Sequence, residues 1–245
     1  MQNNMIRLDK YLTECGVGTR SDVKKIIRQG RIKVNNENIK GADFKVNPNI
    51  DIVLLDDNEI VYEQYSYYIF HKPGDCITAN SDSTHKTIME YLPNEISKKC
   101  SAVGRLDKDT EGLLLLTNDG KLSHQLRSPS NHVAKKYYCR LDNIIPDNAV
   151  ESFKKGVDIG DDKLTKPAEL VILDEKIPAA YLTITEGRYH QVKRMFHAIG
   201  CEVIYLKRLT IGNISLGDLP IGEYRKLSED EILSLKSYKE LNTYE

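Results

Sequence analysis

The chain has 245 residues, of which 40% are hydrophobic and 29% charged, with a net charge of −1. This composition excludes a largely disordered chain and allows a well-buried core with room for a small extra domain. Its longest apolar run, Leu113–Leu116, is far too short to span a bilayer, and the first residues lack the apolar stretch of a secretory signal, so we expect a cytoplasmic protein without a membrane partner. The five cysteines form no C-x-x-C pair, so we expect neither a zinc site nor a disulfide framework.

The first forty residues are predicted to form two short helices and a hairpin. Apolar residues recur at helical spacing on either side of Gly16-Val17-Gly18, namely Leu8, Tyr11 and Leu12 before it and Val23, Ile26 and Ile27 after it. Thr19 or Ser21 can cap the second helix. Ile32-Lys33-Val34 then alternates as a strand, and Asn35-Asn36 can supply a tight turn.

Positive charge is concentrated in this segment. Residues 1–40 contain nine basic and four acidic residues, a net charge of +5, so the remainder of the chain carries −6. A basic module on a mildly acidic body is typical of electrostatic docking to nucleic acid, although an ordinary solvated face is the common alternative. The candidate RNA-binding residues here are Arg7, Lys10, Arg20, Lys24, Arg28 and Arg31.

Three short motifs in the same segment resemble the signature of the S4 RNA-binding domain. They are Arg7-Leu8-Asp9-Lys10-Tyr11-Leu12, then Thr19-Arg20-Ser21, then Ile27-x-x-Gly30-x-Ile32-x-Val34-Asn35. Asn36 stands where the pattern usually has glycine, but asparagine also tolerates positive φ. The resemblance implies an RNA-binding domain over residues 1–62, which ends near a polar junction at residues 63–66.

Residues 63–245 are predicted to form a larger α+β domain on a mixed, mostly antiparallel sheet. The predicted strands are Tyr67–Phe70, Gly112–Thr117, Tyr137–Leu141, Tyr181–Thr185 and Glu202–Leu206. A helix is expected near the end of the domain, where Val192, Met195, Phe196 and Ile199 share one face and Gly200 follows.

The stretch from Gly104 to Gly120 carries the densest group of chemically reactive side chains. Asp107, Asp109 and Glu111 lie in a polar loop that runs into a buried strand. Clustered carboxylates are compatible with a metal site or with a purely structural charged loop. The absence of a histidine from the stretch, together with its basic residues, opposes the metal.

This stretch resembles the catalytic motif of pseudouridine synthases of the ribosomal small-subunit type, the RsuA family. The resemblance implies that Asp107 is the catalytic carboxylate, that Arg105 helps to hold the flipped target nucleotide, and that neither metal nor organic cofactor is used. Lys135-Lys136-Tyr137 resembles the K-x-Y motif of the family. Tyr137 is thereby implied to pack on the target base and Lys135 to contact RNA, whereas Tyr137 alone would be interpreted as an ordinary strand aromatic.

The third motif is the segment from Glu186 to Phe196. The resemblance implies that Arg194 pairs with Asp107, and an arginine within about 4–6 Å typically lowers the pKa of a carboxylate by roughly 1–3 units. His190 lies one helical turn from Arg194 and is given no catalytic role; we expect it to be structural or to contact RNA.

Several details resemble the small-subunit branch of the family, among them Tyr189-His190, Leu164–Ala168 and Gly222–Arg225. The expected reaction is therefore isomerisation of a uridine in 16S rRNA, at the family's uridine-516-type site. A 23S rRNA target and a non-catalytic ribosome-assembly protein are the alternatives. The expected partner is ribosomal RNA or a small-subunit assembly particle, and the protein is expected to be monomeric.

Overall fold

The computed structural model describes residues 5–241 of the chain, with side chains to residue 238. The chain divides into two compact units, Met1–Tyr65 and Ser66–Glu245. This division lies within the polar segment at residues 63–66, a few residues after the expected end of the first domain. Among the described residues, no helix has the length and apolar character needed to cross a membrane.

The first unit contains two helices and six short strands. Its helices are α1 (Leu8–Glu14) and α2 (Arg20–Arg28), and its strands are β1 (Ile6–Arg7), β2 (Ile32–Val34), β3 (Glu37–Asn38), β4 (Lys45–Val46), β5 (Val53–Leu55) and β6 (Asn58–Glu59). The strands pair antiparallel in the order β3-β2-β5-β6, and β1 pairs separately with β4. Apolar residues from both helices and from strands β2, β4 and β5 form one buried cluster.

The predicted start of α2 and the predicted turn are both confirmed. Thr19 caps α2, and its side chain and that of Asp22 form a reciprocal capping box. Asn35 and Asn36 connect β2 to β3 with φ angles of 50° and 69°, the left-handed conformation that asparagine tolerates.

The second unit is built on a nine-stranded sheet. Its strands are β7 (Tyr67–Lys72), β8 (Ser101–Ala102), β9 (Glu111–Thr117), β10 (Lys135–Leu141), β11 (Glu169–Leu173), β12 (Ala179–Ile184), β13 (Val203–Ile211), β14 (Ile214–Ser215) and β15 (Tyr224–Lys226). The main path is β11-β12-β10-β13-β9-β7-β15, with β14 on β13 and β8 on β9. Only the pair β13 and β9 is parallel among the described strands, so the expected mixed, mostly antiparallel sheet is confirmed.

Helices cover this sheet and connect its strands. They are α3 (Asn94–Ser97), α4 (Gly120–Arg127), α5 (Ala149–Lys155), α6 (Gln191–His197) and α7 (Glu229–Leu241), with single 3₁₀ turns at Ile88–Tyr91 and Pro129–Asn131. The predicted helix near residue 195 is α6. Val192, Met195 and Phe196 are buried in it as expected, and Gly200 follows it with a φ of 82°.

Strand β9 is buried on both faces, which explains its four consecutive leucines. Leu114 and Leu116 lie in one hydrophobic cluster, whereas Leu113 and Leu115 lie in another. Successive side chains of a strand point to opposite faces, so an uninterrupted apolar run is typical of a strand with two covered faces. This buried strand begins directly after the loop that carries Asp107.

Candidate active site

The loop from Gly104 to Thr110 connects β8 to β9 and is anchored by hydrogen bonds to Thr78. Leu106 is buried, and its backbone N–H donates to the Thr78 hydroxyl, which in turn donates to the Leu106 carbonyl at 2.9 Å. The Thr110 N–H donates to the Asp107 carbonyl. These contacts fix the backbone on both sides of Asp107, whose side chain is 31% exposed.

Lys72 is a second anchor of the loop, and sequence reasoning missed it. Its side chain is fully buried, and its ammonium donates to the carbonyls of Pro73, Lys108 and Thr110 at 2.9 to 3.1 Å. Burial lowers the pKa of Lys72, and the nearby loop carboxylates act in the opposite direction. The available signal was a lysine at the end of the apolar strand Tyr67–Lys72, directly before proline.

The three clustered carboxylates have different surroundings. Both oxygens of Asp109 accept hydrogen bonds from the Lys193 ammonium at 2.7 Å, and Glu111 accepts one from the Tyr205 hydroxyl at 2.7 Å. Burial alone would raise the pKa of Asp109, but Lys193 holds it below its ordinary value. Asp107 makes only longer contacts, of 3.5 and 3.9 Å, so its oxygens are the least engaged in hydrogen bonds of the three, although the Asp109 side chain is more exposed.

Two side chains of the segment around α6 face Asp107. His190 Nε2 lies 3.5 Å from Asp107 Oδ1, and Lys193 Nζ lies 3.9 Å from Asp107 Oδ2. His190 precedes α6 with a left-handed φ of 47°, which directs the chain into the helix. The carboxylate is therefore placed between an imidazole and an ammonium group.

The expected pairing of Arg194 with Asp107 is wrong. Arg194 Nη2 donates to Asp161 Oδ1 at 2.5 Å and to the Ile159 carbonyl, and its Nη1 donates to the Tyr189 carbonyl. His190 and Lys193 are three residues apart and share one side of the helix, whereas Arg194 is rotated by about 100° from Lys193. In α6 the residue that faces Asp107 is Lys193.

Arg194 instead belongs to a hydrogen-bonded network with Arg188 and Asp161. Asp161 also accepts from Arg188, which donates to the carbonyls of Lys163 and Leu164 at 2.7 Å. The hydrogen bond from Arg194 is the main reason that the pKa of Asp161 is lowered. The two arginines thus join the loop around Asp161 to the turn that carries His190.

The other predicted site residues occupy distinct positions. Tyr137 is only 7% exposed in β10 and belongs to the same hydrophobic cluster as Leu106. Lys135, two residues earlier, donates to the Val133 carbonyl, and burial lowers its pKa to about 8. Arg105 is exposed, and its guanidinium makes no hydrogen bond or ion pair within residues 5–241.

The predicted RNA-binding residues of the first unit are all exposed. Arg7, Lys10 and Arg31 are paired with Asp9, Glu14 and Asp56, respectively. The other three, which form no ion pair with the described part of the chain, are Arg20, Lys24 and Arg28.

Among the described residues, no three histidine, cysteine, aspartate or glutamate side chains are grouped closely enough to hold a metal ion. The site instead combines Asp107, whose carboxylate has no contact shorter than 3.5 Å to a described basic group, the two basic groups His190 and Lys193 beside it, and the buried Tyr137 in the core cluster that also contains Leu106. This set supplies charge and groups that can transfer a proton to a bound substrate.

Comparison with known proteins identifies the family. Residues 66–198 match the model of the RNA pseudouridylate synthase family, and residues 6–52 match the S4 domain. The chain belongs to the RNA pseudouridylate synthase family. It is an RNA pseudouridine synthase, which is an isomerase, and the α+β fold and the S4 domain expected from the sequence are confirmed.

Relatives match nearly the whole length of this synthase. It is 41% identical over 231 residues to the uncharacterized RNA pseudouridine synthase YtzG of Bacillus subtilis, covering 93% of this chain and 97% of the relative. It is 40% identical over 233 residues to ribosomal small subunit pseudouridine synthase A of Escherichia coli K12, covering 94% and 100%. A crystal structure of a pseudouridylate synthase superposes with a TM-score of 0.67 at 39% identity, covering 94% of this chain and 99% of that one.

Proposed function

We propose that this synthase converts one uridine of 16S rRNA to pseudouridine, at the family's uridine-516-type site, with Asp107 as the catalytic carboxylate. The observation that carries the proposal is the difference between the three loop carboxylates. Asp109 and Glu111 are held by strong hydrogen bonds, whereas Asp107 is half-buried, accessible and flanked by His190 and Lys193.

The reaction breaks the N1–C1′ bond of uridine, turns the uracil and forms a C5–C1′ bond. The hydrogen on C5 is released to solvent and N1 gains a proton, so no oxidant or reductant is needed. A carboxylate beside the ribose needs a balancing positive charge while the base is detached, and the Lys193 ammonium lies 3.9 Å from Asp107 Oδ2. Lys193 therefore takes the role that the sequence had given to Arg194.

Access to the glycosidic bond requires that the nucleotide leave its stack, which costs on the order of a few kcal/mol. We assign Tyr137, the tyrosine of the K-x-Y motif, to contact the extruded uracil through the 7% of its surface that is exposed. Full stacking on an aromatic ring returns roughly 1–3 kcal/mol per base, and this largely buried ring supplies the lower end of that range. Arg105 is exposed, lies two residues before Asp107 and is assigned to hold the flipped target nucleotide out of its stack. Lys135 contributes a further contact to the RNA.

The first unit is proposed to dock the protein on its RNA through Arg20, Lys24 and Arg28. Salt weakens such contacts because bound counterions are released on binding. The triple variant of these residues to glutamine should bind 16S rRNA more weakly and with a flatter salt dependence. A variant of the ion-paired Arg7, Lys10 and Arg31 should change the slope less, and equal slopes for all three proteins would refute docking by these residues.

The rRNA target is supported by similarity to relatives named ribosomal small subunit pseudouridine synthase A. Pseudouridine should be mapped in 16S and 23S rRNA from cells that lack the gene and from the same cells supplied with wild-type or Asp107→Asn protein. We expect one 16S pseudouridine to disappear and to return with the wild type alone. Loss of a 23S position would establish the large-subunit alternative, and no loss in either RNA would favour a non-catalytic assembly protein.

A further inference from the structure

An exposed aromatic pair lies beside the catalytic carboxylate. The ring of Tyr189 stacks on that of His190 with a centroid distance of 3.9 Å and an interplanar angle of 17°. Tyr189 is 76% exposed, whereas tyrosine side chains are on average buried to an intermediate degree. His190 in turn reaches Asp107, so the pair extends outward from the reacting centre.

The pair is held rigidly by its backbone. The Tyr189 carbonyl accepts from Arg194, and the N–H of Arg188 donates to the Gln191 side chain at 2.9 Å. Gln191 is itself buried and bonded to Glu186. The turn is therefore ordered before any ligand binds, which lowers the entropic cost of using it as a binding surface.

The Tyr189 side chain takes part in no hydrogen bond among the described residues. One face of its ring is covered by His190. The opposite face is available for another flat group.

We propose that Tyr189 and His190 form a platform on which an unpaired nucleobase of the RNA, next to the target uridine, is stacked. This inference rests on the proposed function, since it requires RNA at Asp107. The base lies on the outer face of Tyr189, and the order base, Tyr189, His190 separates it from Asp107. The target uracil itself packs on Tyr137, so the platform holds a flanking nucleotide and thereby contributes to the choice of site.

Stacking requires the ring but not the hydroxyl of Tyr189. Tyr189→Phe should therefore keep kcat/KM within about twofold, whereas Tyr189→Ala should lower it about tenfold, the lower half of the range that base stacking on an aromatic supplies. The matched control is Leu233→Ala, which removes another exposed apolar side chain, on α7. We expect no change in that variant.

The decisive test uses a short rRNA fragment around the mapped uridine, with a single abasic nucleotide placed in turn at each flanking position. At one position, wild type and Tyr189→Ala should become equal, because the platform has lost its base. A penalty that persists undiminished on every abasic fragment, or equal rates of Tyr189→Ala and wild type on the intact fragment, would overturn the proposal.

A binding measurement separates this inference from the proposed reaction. 2-Aminopurine is placed in turn at each position that flanks the proposed uridine. At one position it should be quenched on binding wild type, Tyr189→Phe and the inactive Asp107→Asn protein, but much less by Tyr189→Ala. Equal quenching by Tyr189→Ala would refute the platform. If wild-type protein released no tritium from C5-labelled uridine while quenching still depended on Tyr189, the proposed reaction would fail and the platform would stand.

Discussion

Replacement of Lys72 by methionine tests how the catalytic loop is held in place. Lys72 donates to three carbonyls, two of which, Lys108 and Thr110, flank the loop on the strand side of Asp107. Methionine fills similar space but leaves these acceptors without a donor. The effect should therefore appear both in stability and in turnover.

The magnitude follows from opposing contributions. A hydrogen bond to a charged donor contributes about 1.5–3 kcal/mol, and a buried acceptor left unpaired costs about 1–3 kcal/mol. Removal of the ammonium also removes the cost of burying a charge, which is several kcal/mol. We therefore expect a net loss of about 3 kcal/mol, well below the sum of three hydrogen bonds.

Urea unfolding monitored by far-UV circular dichroism measures this loss, since the chain has no tryptophan. With a slope of about 3 kcal/mol per M, the midpoint should fall by about 1 M. At a temperature where the variant is folded, the fold-decrease in kcat should exceed the fold-change in KM, because Asp107 is displaced. The control is Lys108→Met, which alters an exposed side chain of the same loop. A Lys72→Met protein with wild-type midpoint and kcat would refute the anchoring role.

Three further predictions concern single residues. Lys193→Gln should lower the single-turnover rate by at least about tenfold, because it removes positive charge beside the Asp107 carboxylate. Arg194→Gln should lower the urea midpoint of unfolding and have a smaller effect on the single-turnover rate than Lys193→Gln. The reverse pattern would show that Arg194, and not Lys193, is the partner of Asp107. Gly112→Ala should lower the free energy of unfolding, measured by urea unfolding, by about 3 kcal/mol or more, because φ is 108° and the added Cβ would lie 2.2 Å from a backbone oxygen of β13. The control Gly120→Ala should leave stability unchanged, because the added Cβ meets no described atom within 4 Å. Burial lowers the pKa of Lys135 from 10.5 to about 8, so the unfolded chain binds more protons than the folded protein between these pH values, and the free energy of unfolding should rise with pH across them. Lys135→Met should remove up to about 3 kcal/mol of that rise. Identical profiles of urea midpoint against pH for wild type and Lys135→Met, from about pH 7 to about pH 11, would show that Lys135 does not cause the rise.

Local features of the fold could be predicted from the sequence because their causes are local. Thr19 caps α2 through atoms three residues away, and Asn35-Asn36 forms a turn through its own backbone preference. The apolar run Leu113–Leu116 indicates a strand covered on both faces before any neighbour is known. Strand β13 extends to Ile211, beyond its predicted end at Leu206, because pairing with β10 and β14 stabilises the extra residues.

The parts of the site that were missed depend on contacts distant in the sequence. Lys72 is buried because its acceptors come from a loop 36 to 38 residues later, and no local pattern specifies them. The choice between Lys193 and Arg194 depends on the rotation of α6, which is set by the left-handed conformation of His190. Asp161 lies in a loop without a regular pattern, so its pairing with Arg194 was also not predictable.

Tritium release from rRNA labelled at C5 of uridine shows whether Asp107 is the catalytic carboxylate. Purified wild-type protein should release tritium from 16S rRNA of cells lacking the gene, and Asp107→Asn should release none. Asp109→Asn, which alters the neighbouring carboxylate that Lys193 holds, should retain activity. Release by Asp107→Asn at the wild-type rate, or its abolition by Asp109→Asn alone, would contradict the account.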